Sequence, residues 1–177
     1  MRLFAKYLIV CAALLGVASC TKLNTGLGGV LDLDTDYLLE FKVDADINPD
    51  DNNTPSPLFI RMYELKSDKM FSKANFLDLY EKDKEILGAD MLEVHEIKRL
   101  TPGGDYQNKF VLNEEAKYVG LYAEFLQYKD ADFKLIIPVT QNNVVRNRSK
   151  VLVSGNNIKI IDLHGDDGKS GEADHSL

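Results

Sequence analysis

Few side chains in this 177-residue sequence are placed to do chemistry; it holds two cysteines and three histidines. His95 sits in V-H-E-I within a strand-like run and reads as a solvent-facing strand residue, while His164 and His175 fall at or in the C-terminal tail. There is no H-E-x-x-H, no pair of histidines at helical spacing and no Cys/His cluster of the kind that holds zinc. No G-x-S-x-G is present either, so a nucleophile elbow is absent. Gly26-Leu27-Gly28-Gly29 is glycine-rich, but neither the strand before it nor the helix after it that a phosphate cradle needs can be read. The adjacent acids Asp50/Asp51 and Asp166/Asp167 lack EF-hand spacing and read as solvated charge. The residues imply no catalytic group, no metal site and no cofactor, and so a protein that is not an enzyme.

Reactive chemistry is expected at one position, Cys20. Residues 1–19 have a basic start (Arg2, Lys6), an apolar run from Tyr7 to Val17, and then small residues. That is the layout of a secretory signal peptide, with an apolar run too short to span a bilayer comfortably. Val17-Ala18-Ser19-Cys20 resembles the bacterial lipobox, whose cysteine receives lipid and becomes the new N-terminus. Thr21 rather than an aspartate follows, which in that resemblance fits sorting to the outer membrane. Acyl chains contribute about 0.8 kcal/mol per buried CH₂, so more than one chain anchors a protein stably. No cysteine follows Cys20, which excludes a disulfide or thiolate metal site downstream.

The formal net charge of −7 argues against nucleic acid and against a basic lipid-binding patch. Length suggests one domain with a real core. Residues 20–36 form a Gly- and Asp-rich spacer behind the lipidated cysteine. The folded domain is expected over 37–163, and 164–177 read as a disordered acidic tail.

The elements follow from hydrophobic period. Tyr37, Leu39, Phe41, Val43, Ala45 and Ile47 alternate with polar residues, predicting a half-buried strand over Tyr37–Ile47. A second strand follows from Leu58, with Arg61 expected to pair with an acid of the preceding strand or loop. Phe76, Leu77 and Tyr80 suggest a short amphipathic helix over Ser72–Leu87, N-capped by Ser72 and stopped at Gly88. Further strands are read at Met91–Leu100, Gln107–Leu112, Tyr118–Gln127 and Phe133–Ile137. Asn142–Ser149 reads as a polar loop, and Val151–Val153 and Ile158–Leu163 as a hairpin around Ser154-Gly155-Asn156-Asn157. About eight short strands with one helical insertion make a mainly β protein, a β-sandwich.

Between the first two strands lies Asn48–Pro57, holding three prolines, three asparagines and two aspartates. Proline fixes φ, and Asn and Asp bond their own backbone, so this is turn chemistry. The loop is too long for a tight hairpin, and long loops on rigid strands commonly carry binding function. It is expected to be the contact surface of the protein. A competing reading is a periplasmic lipoprotein that binds a small ligand or metal inside the sandwich, marked by a deep apolar pocket with converging polar groups.

The run A-D-I-N-P-D-D-N-N-T-P-S-P-L-F-I-R-M-Y-E-L, followed by A-N-F-L-D-L-Y, L-T-P-G-G and K-Y-V-G-L-Y-A-E-F behind a lipobox, resembles the TssJ family (SciN/VasD/Lip) of type VI secretion lipoproteins. The resemblance covers about Tyr37 to Leu163 and the lipobox. It implies a transthyretin-like sandwich of two four-stranded sheets with a helical insertion. It also implies a periplasm-facing domain held at the outer membrane by acylated Cys20, binding the periplasmic C-terminal region of TssM. The contact residues it implies are Asn48, Pro49, Asp50, Asp51, Asn52, Asn53, Thr54, Pro55 and Ser56.

Overall fold

A computed structural model describes residues 35–140 and 147–164. The expected signal peptide, Cys20, nearly all of the spacer and, apart from His164 at the end of a strand, the acidic tail lie outside the described residues.

Eight strands form two four-stranded sheets. The strands are β1 (Thr35–Val43), β2 (Leu58–Leu65), β3 (Met91–Leu100), β4 (Asp105–Leu112), β5 (Tyr118–Ala123), β6 (Lys134–Pro138), β7 (Asn147–Ser154) and β8 (Asn157–His164). One sheet runs β4-β1-β7-β8 and the other β3-β2-β5-β6. All neighbours are antiparallel except β1 and β7, which pair in parallel from Tyr37↔Asn147 to Val43↔Val153. Two helices, α1 (Lys69–Lys73) and α2 (Phe76–Leu87), are inserted between β2 and β3. The expected mainly β sandwich with a helical insertion is therefore what the chain forms.

Alternation builds the inter-sheet core. Tyr37, Leu39, Phe41 and Val43 of β1 face Leu58, Ile60 and Met62 of β2 and Val119 and Leu121 of β5 across the sandwich, all buried. The period breaks after Val43: Ala45 is exposed in a turn, and Ile47 alone returns to the core. The first strand is thus shorter than the Tyr37–Ile47 span the pattern suggested.

A second core lies on the outer face of the β3-β2-β5-β6 sheet, where Tyr63, Leu65 and Tyr122 pack under Phe71, Phe76, Leu79 and Leu87 of the helices. The C-terminal half of β2, Met62 to Leu65, is consequently buried on both faces. Phe71 has no exposed surface, and covering a side chain of that size contributes about 2–3 kcal/mol. It seats against Gly120, where an added Cβ would lie 3.0 Å from the Phe71 ring.

The helical insertion is two helices rather than one. Asn75 caps α2 by accepting the Asp78 N–H (2.9 Å), and Asp78 accepts the Asn75 N–H in return (3.0 Å). Ser72 lies inside α1 and is not the N-cap. The buried stripe of α2 is Phe76, Leu79 and Leu87, while Leu77 and Tyr80 face solvent. Lys134 of β6 ties the insertion down, its Nζ donating to the carbonyls of Phe71, Ser72 and Ala74 at 3.2, 2.7 and 2.6 Å. Burial lowers the pKa of this lysine, and its partners include the C-terminal carbonyls of α1, where a cation is favoured.

The polar stretch read as a loop over Asn142–Ser149 instead contributes the first three residues of β7. Asn147 and Ser149 are buried there. Asn147 is satisfied by Thr140, whose N–H it accepts at 3.1 Å and whose carbonyl it reaches at 2.9 Å. The hairpin around Gly155 forms as expected, with Ser154 opposite Asn157 and Gly155 at φ 53°.

Candidate functional site

The loop between β1 and β2 is held from below by residues far along the chain. Asn48 is its keystone: only 2 % exposed, with φ 48°. Its N–H donates to the Gly155 carbonyl (2.8 Å) and its Nδ2 to the Pro57 carbonyl (2.9 Å), while its Oδ1 accepts the Leu126 N–H (2.8 Å). The neck is closed where Ser56 N–H meets the Ile47 carbonyl (3.1 Å). Asn48 therefore braces the loop from inside, its buried amide bonded at both Nδ2 and Oδ1.

Asp50 organises the distal part. Its Oδ1 accepts the N–H groups of Asn52 (2.8 Å) and Thr54 (2.9 Å), and its backbone bonds Thr54 and Asn53. These backbone donors, Thr54 first, hold the Asp50 carboxyl below the ordinary carboxylate pKa. Gln127 Nε2 supports the same turn by donating to the Asp50 carbonyl at 2.9 Å. Asn53 takes the left-handed conformation at φ 59°, which asparagine tolerates well. Above this frame Asp51, Asn52, Asn53, Thr54 and Pro55 are exposed, and Pro49, Asp50 and Ser56 are half-exposed. The loop is an ordered projection whose prolines are not packed beneath other segments. Its supports Leu126 and Gln127 are 78 and 77 residues away in sequence from the groups they bond, Gly155 is farther still, and none carries a local signal of the role.

Two other sequence readings change. Arg61 pairs with neither the preceding strand nor the loop. Its Nε meets Glu124 Oε1 at 2.8 Å and its Nη1 meets Asp83 Oδ2 at 2.9 Å, joining α2 to the end of β5. His95 is half-buried rather than solvent-facing. Its Nε2 lies 2.7 Å from Oε1 of the fully buried Glu64, whose Oε2 accepts the Asn113 N–H at 2.7 Å. Glu64, Glu93 and His95 are the one group among the described residues whose ligand-type atoms gather within 4.8 Å. The His95–Glu64 hydrogen bond itself accounts for a carboxylate buried at that point. A cleft of about 530 Å³ on the other sheet is bordered by Leu38, Gln107, Lys109 and Arg148, open and mixed in polarity, unlike a deep apolar ligand pocket. Among the described residues no helix is long and apolar enough to cross a membrane.

The sequence model of the family described as "Type VI secretion lipoprotein, VasD, EvfM, TssJ" matches residues 35–159. The chain belongs to this family. Solved structures agree on the fold. The T6SS lipoprotein TssJ1 from Pseudomonas aeruginosa is 24 % identical with a TM-score of 0.65, covering 76 % of this chain and 99 % of its own. A chain of a type VI membrane complex is 24 % identical with a TM-score of 0.64, over 73 % of this chain and 99 % of its own. A chain of the structure described as the T6SS protein TssM C-terminal domain (869–1107) from EAEC is 21 % identical with a TM-score of 0.60, over 72 % of this chain and 98 % of its own. No curated protein matches the sequence significantly. As a TssJ-family lipoprotein the chain has the transthyretin-like sandwich of two four-stranded sheets that its sequence implied.

Proposed function

We propose that this lipoprotein anchors the type VI secretion membrane complex at the outer membrane. It is held there by lipid on Cys20 and binds the periplasmic C-terminal region of TssM through the loop between β1 and β2. The protein works by attachment, without a reaction centre, a cofactor or a metal. The observation that carries the reading is the loop's preorganisation: a projecting, proline-containing tip already bonded into one conformation by Asn48, Asp50 and Gln127. Little ordering is then needed on binding, which leaves more of the contact energy as affinity. Lipid tethering adds to this by confining the domain to one membrane, raising its effective concentration for a protein reaching across from the other.

Within this reading Asn48 belongs to the frame, and the contact falls to Pro49, Asp50, Asp51, Asn52, Asn53, Thr54, Pro55 and Ser56. The test replaces Asp51–Pro55 by a Gly/Ser segment of equal length, leaving Asn48 and Asp50 in place. Thermal unfolding is expected to stay cooperative, and affinity for the purified periplasmic C-terminal region of TssM to be lost in calorimetry. Unchanged affinity refutes the loop's role. In cells, Cys20→Ser is expected to leave the protein in the soluble periplasmic fraction; sedimentation with outer membranes refutes the tether.

A further inference from the structure

The chain leaves the loop through a segment with an unusual face. Side chains alternate along an extended strand, and on β2 Leu58 and Ile60 point into the core, with 0 % and 1 % exposure. The opposite set, Pro55, Pro57 and Phe59, faces water, and Phe59 is 52 % exposed. Along this outer face of β2 burial rises away from the loop: Phe59 is exposed, Arg61 intermediate, Tyr63 and Leu65 buried beneath the helices. The insertion thus covers one end of the face and leaves the end beside the loop bare. Glu124 N–H bonds the Phe59 carbonyl at 2.9 Å, and two residues further on Leu126, 58 % exposed, is the residue bonded to Asn48. From β3 the exposed Arg99 holds its guanidinium carbon 5.8 Å from the Phe59 ring centroid.

Aromatic residues and arginine are enriched where partners cover a protein surface, and Phe59 stands in water beside Arg99 with the exposed Leu126 on the same bare end. The arm is covalently continuous with the loop tip, so whatever seats on the tip meets Pro57 and Phe59 next. We propose that the partner of the loop extends its contact along this arm, packing an apolar side chain against Phe59 and Leu126 and placing a carboxylate beside it to meet Arg99. This inference rests on the loop being the partner contact.

Its test uses the mature chain and three variants, Phe59→Ser, Arg99→Ala and the Gly/Ser loop-tip replacement, each titrated with the periplasmic C-terminal region of TssM. Phe59→Ser is expected to weaken binding by about tenfold or more, and Arg99→Ala by several-fold, with unfolding midpoints unchanged because neither side chain is buried. Phe59→Leu is expected to recover most of the loss. If Phe59→Ser binds within about twofold of the parent while the loop-tip variant loses binding, the extension is overturned and the loop reading stands. If the loop-tip variant binds normally, the loop reading falls, and the extension with it. If Phe59→Ser abolishes self-association of the chain while leaving TssM affinity intact, the face belongs to a second copy, which also overturns the proposal.

Discussion

Asn48 combines two properties that few residues share. It adopts a positive φ without severe strain, and its amide donates and accepts at once across a buried junction. Asn48→Ala removes both side-chain bonds and leaves the Leu126 N–H and the Pro57 carbonyl without them, so stability is expected to fall by about 2 kcal/mol in urea unfolding. An unchanged midpoint would mean that the loop base is held by its backbone bonds alone. The sequence made the loop visible through its prolines and Asx residues, but it could not separate the buried brace from the exposed residues of the tip. Asn48 and Asn53 look alike in the chain, and only the packing of Leu126 and Gly155 against one of them tells them apart. His95 departs from its solvent-facing expectation for a related reason. Its partner Glu64 is on the adjacent strand, brought beside it by a register that a single strand's pattern does not contain.

The element with the most informative error is the helical insertion. Its polar side and its stop at Gly88 follow from local signals, whereas its start does not match the Ser72 cap read from the sequence: Asn75 and Asp78 form the capping box instead. Reading one helix from Ser72 joined two short helices across Ala74, whose extended backbone ends α1. Asn75→Ala is expected to cost about 1 kcal/mol, measured by thermal or denaturant unfolding, with little effect on partner binding because α2 sits at the covered end of the sheet. A comparable loss of affinity would place α2 in the contact. Strand β7 was hidden by the opposite effect. Asn147 and Ser149 are poor strand formers, yet pairing with β1 and the bonds between Asn147 and Thr140 put them in a buried strand.

For the whole molecule, the strand periods revealed the class and the number of strands. They did not reveal that β1 and β7, more than a hundred residues apart, pair in parallel at the centre of one sheet. The two cores bury several tyrosines, and burial pushes the Tyr37 phenol up to about 12 and raises Tyr63 and Tyr122 as well. In the unfolded chain these groups ionise near pH 10. Above that value the folded state holds more protons than the unfolded state, so the slope of stability against pH is negative there. Stability from these groups is whole below about pH 10 and is lost as pH climbs towards about 12. The unfolding temperature is expected to be flat from about pH 7 to 9 and to drop above about pH 10, with Tyr37→Phe reducing the drop. A flat profile to about pH 12 would refute it.

Strand β1 has one more property, which concerns force. It begins at Thr35, immediately downstream of the segment that carries Cys20, and the loop emerges just beyond its other end, after Val43. Under the proposed anchoring, a pull between lipid and partner would act lengthwise on a single strand of about 30 Å. That strand is hydrogen-bonded on both sides, by β4 and by β7, so the tension runs along its covalent backbone while the two ladders hold it extended and in register. The rest of the sandwich serves as the clamp around one taut cable.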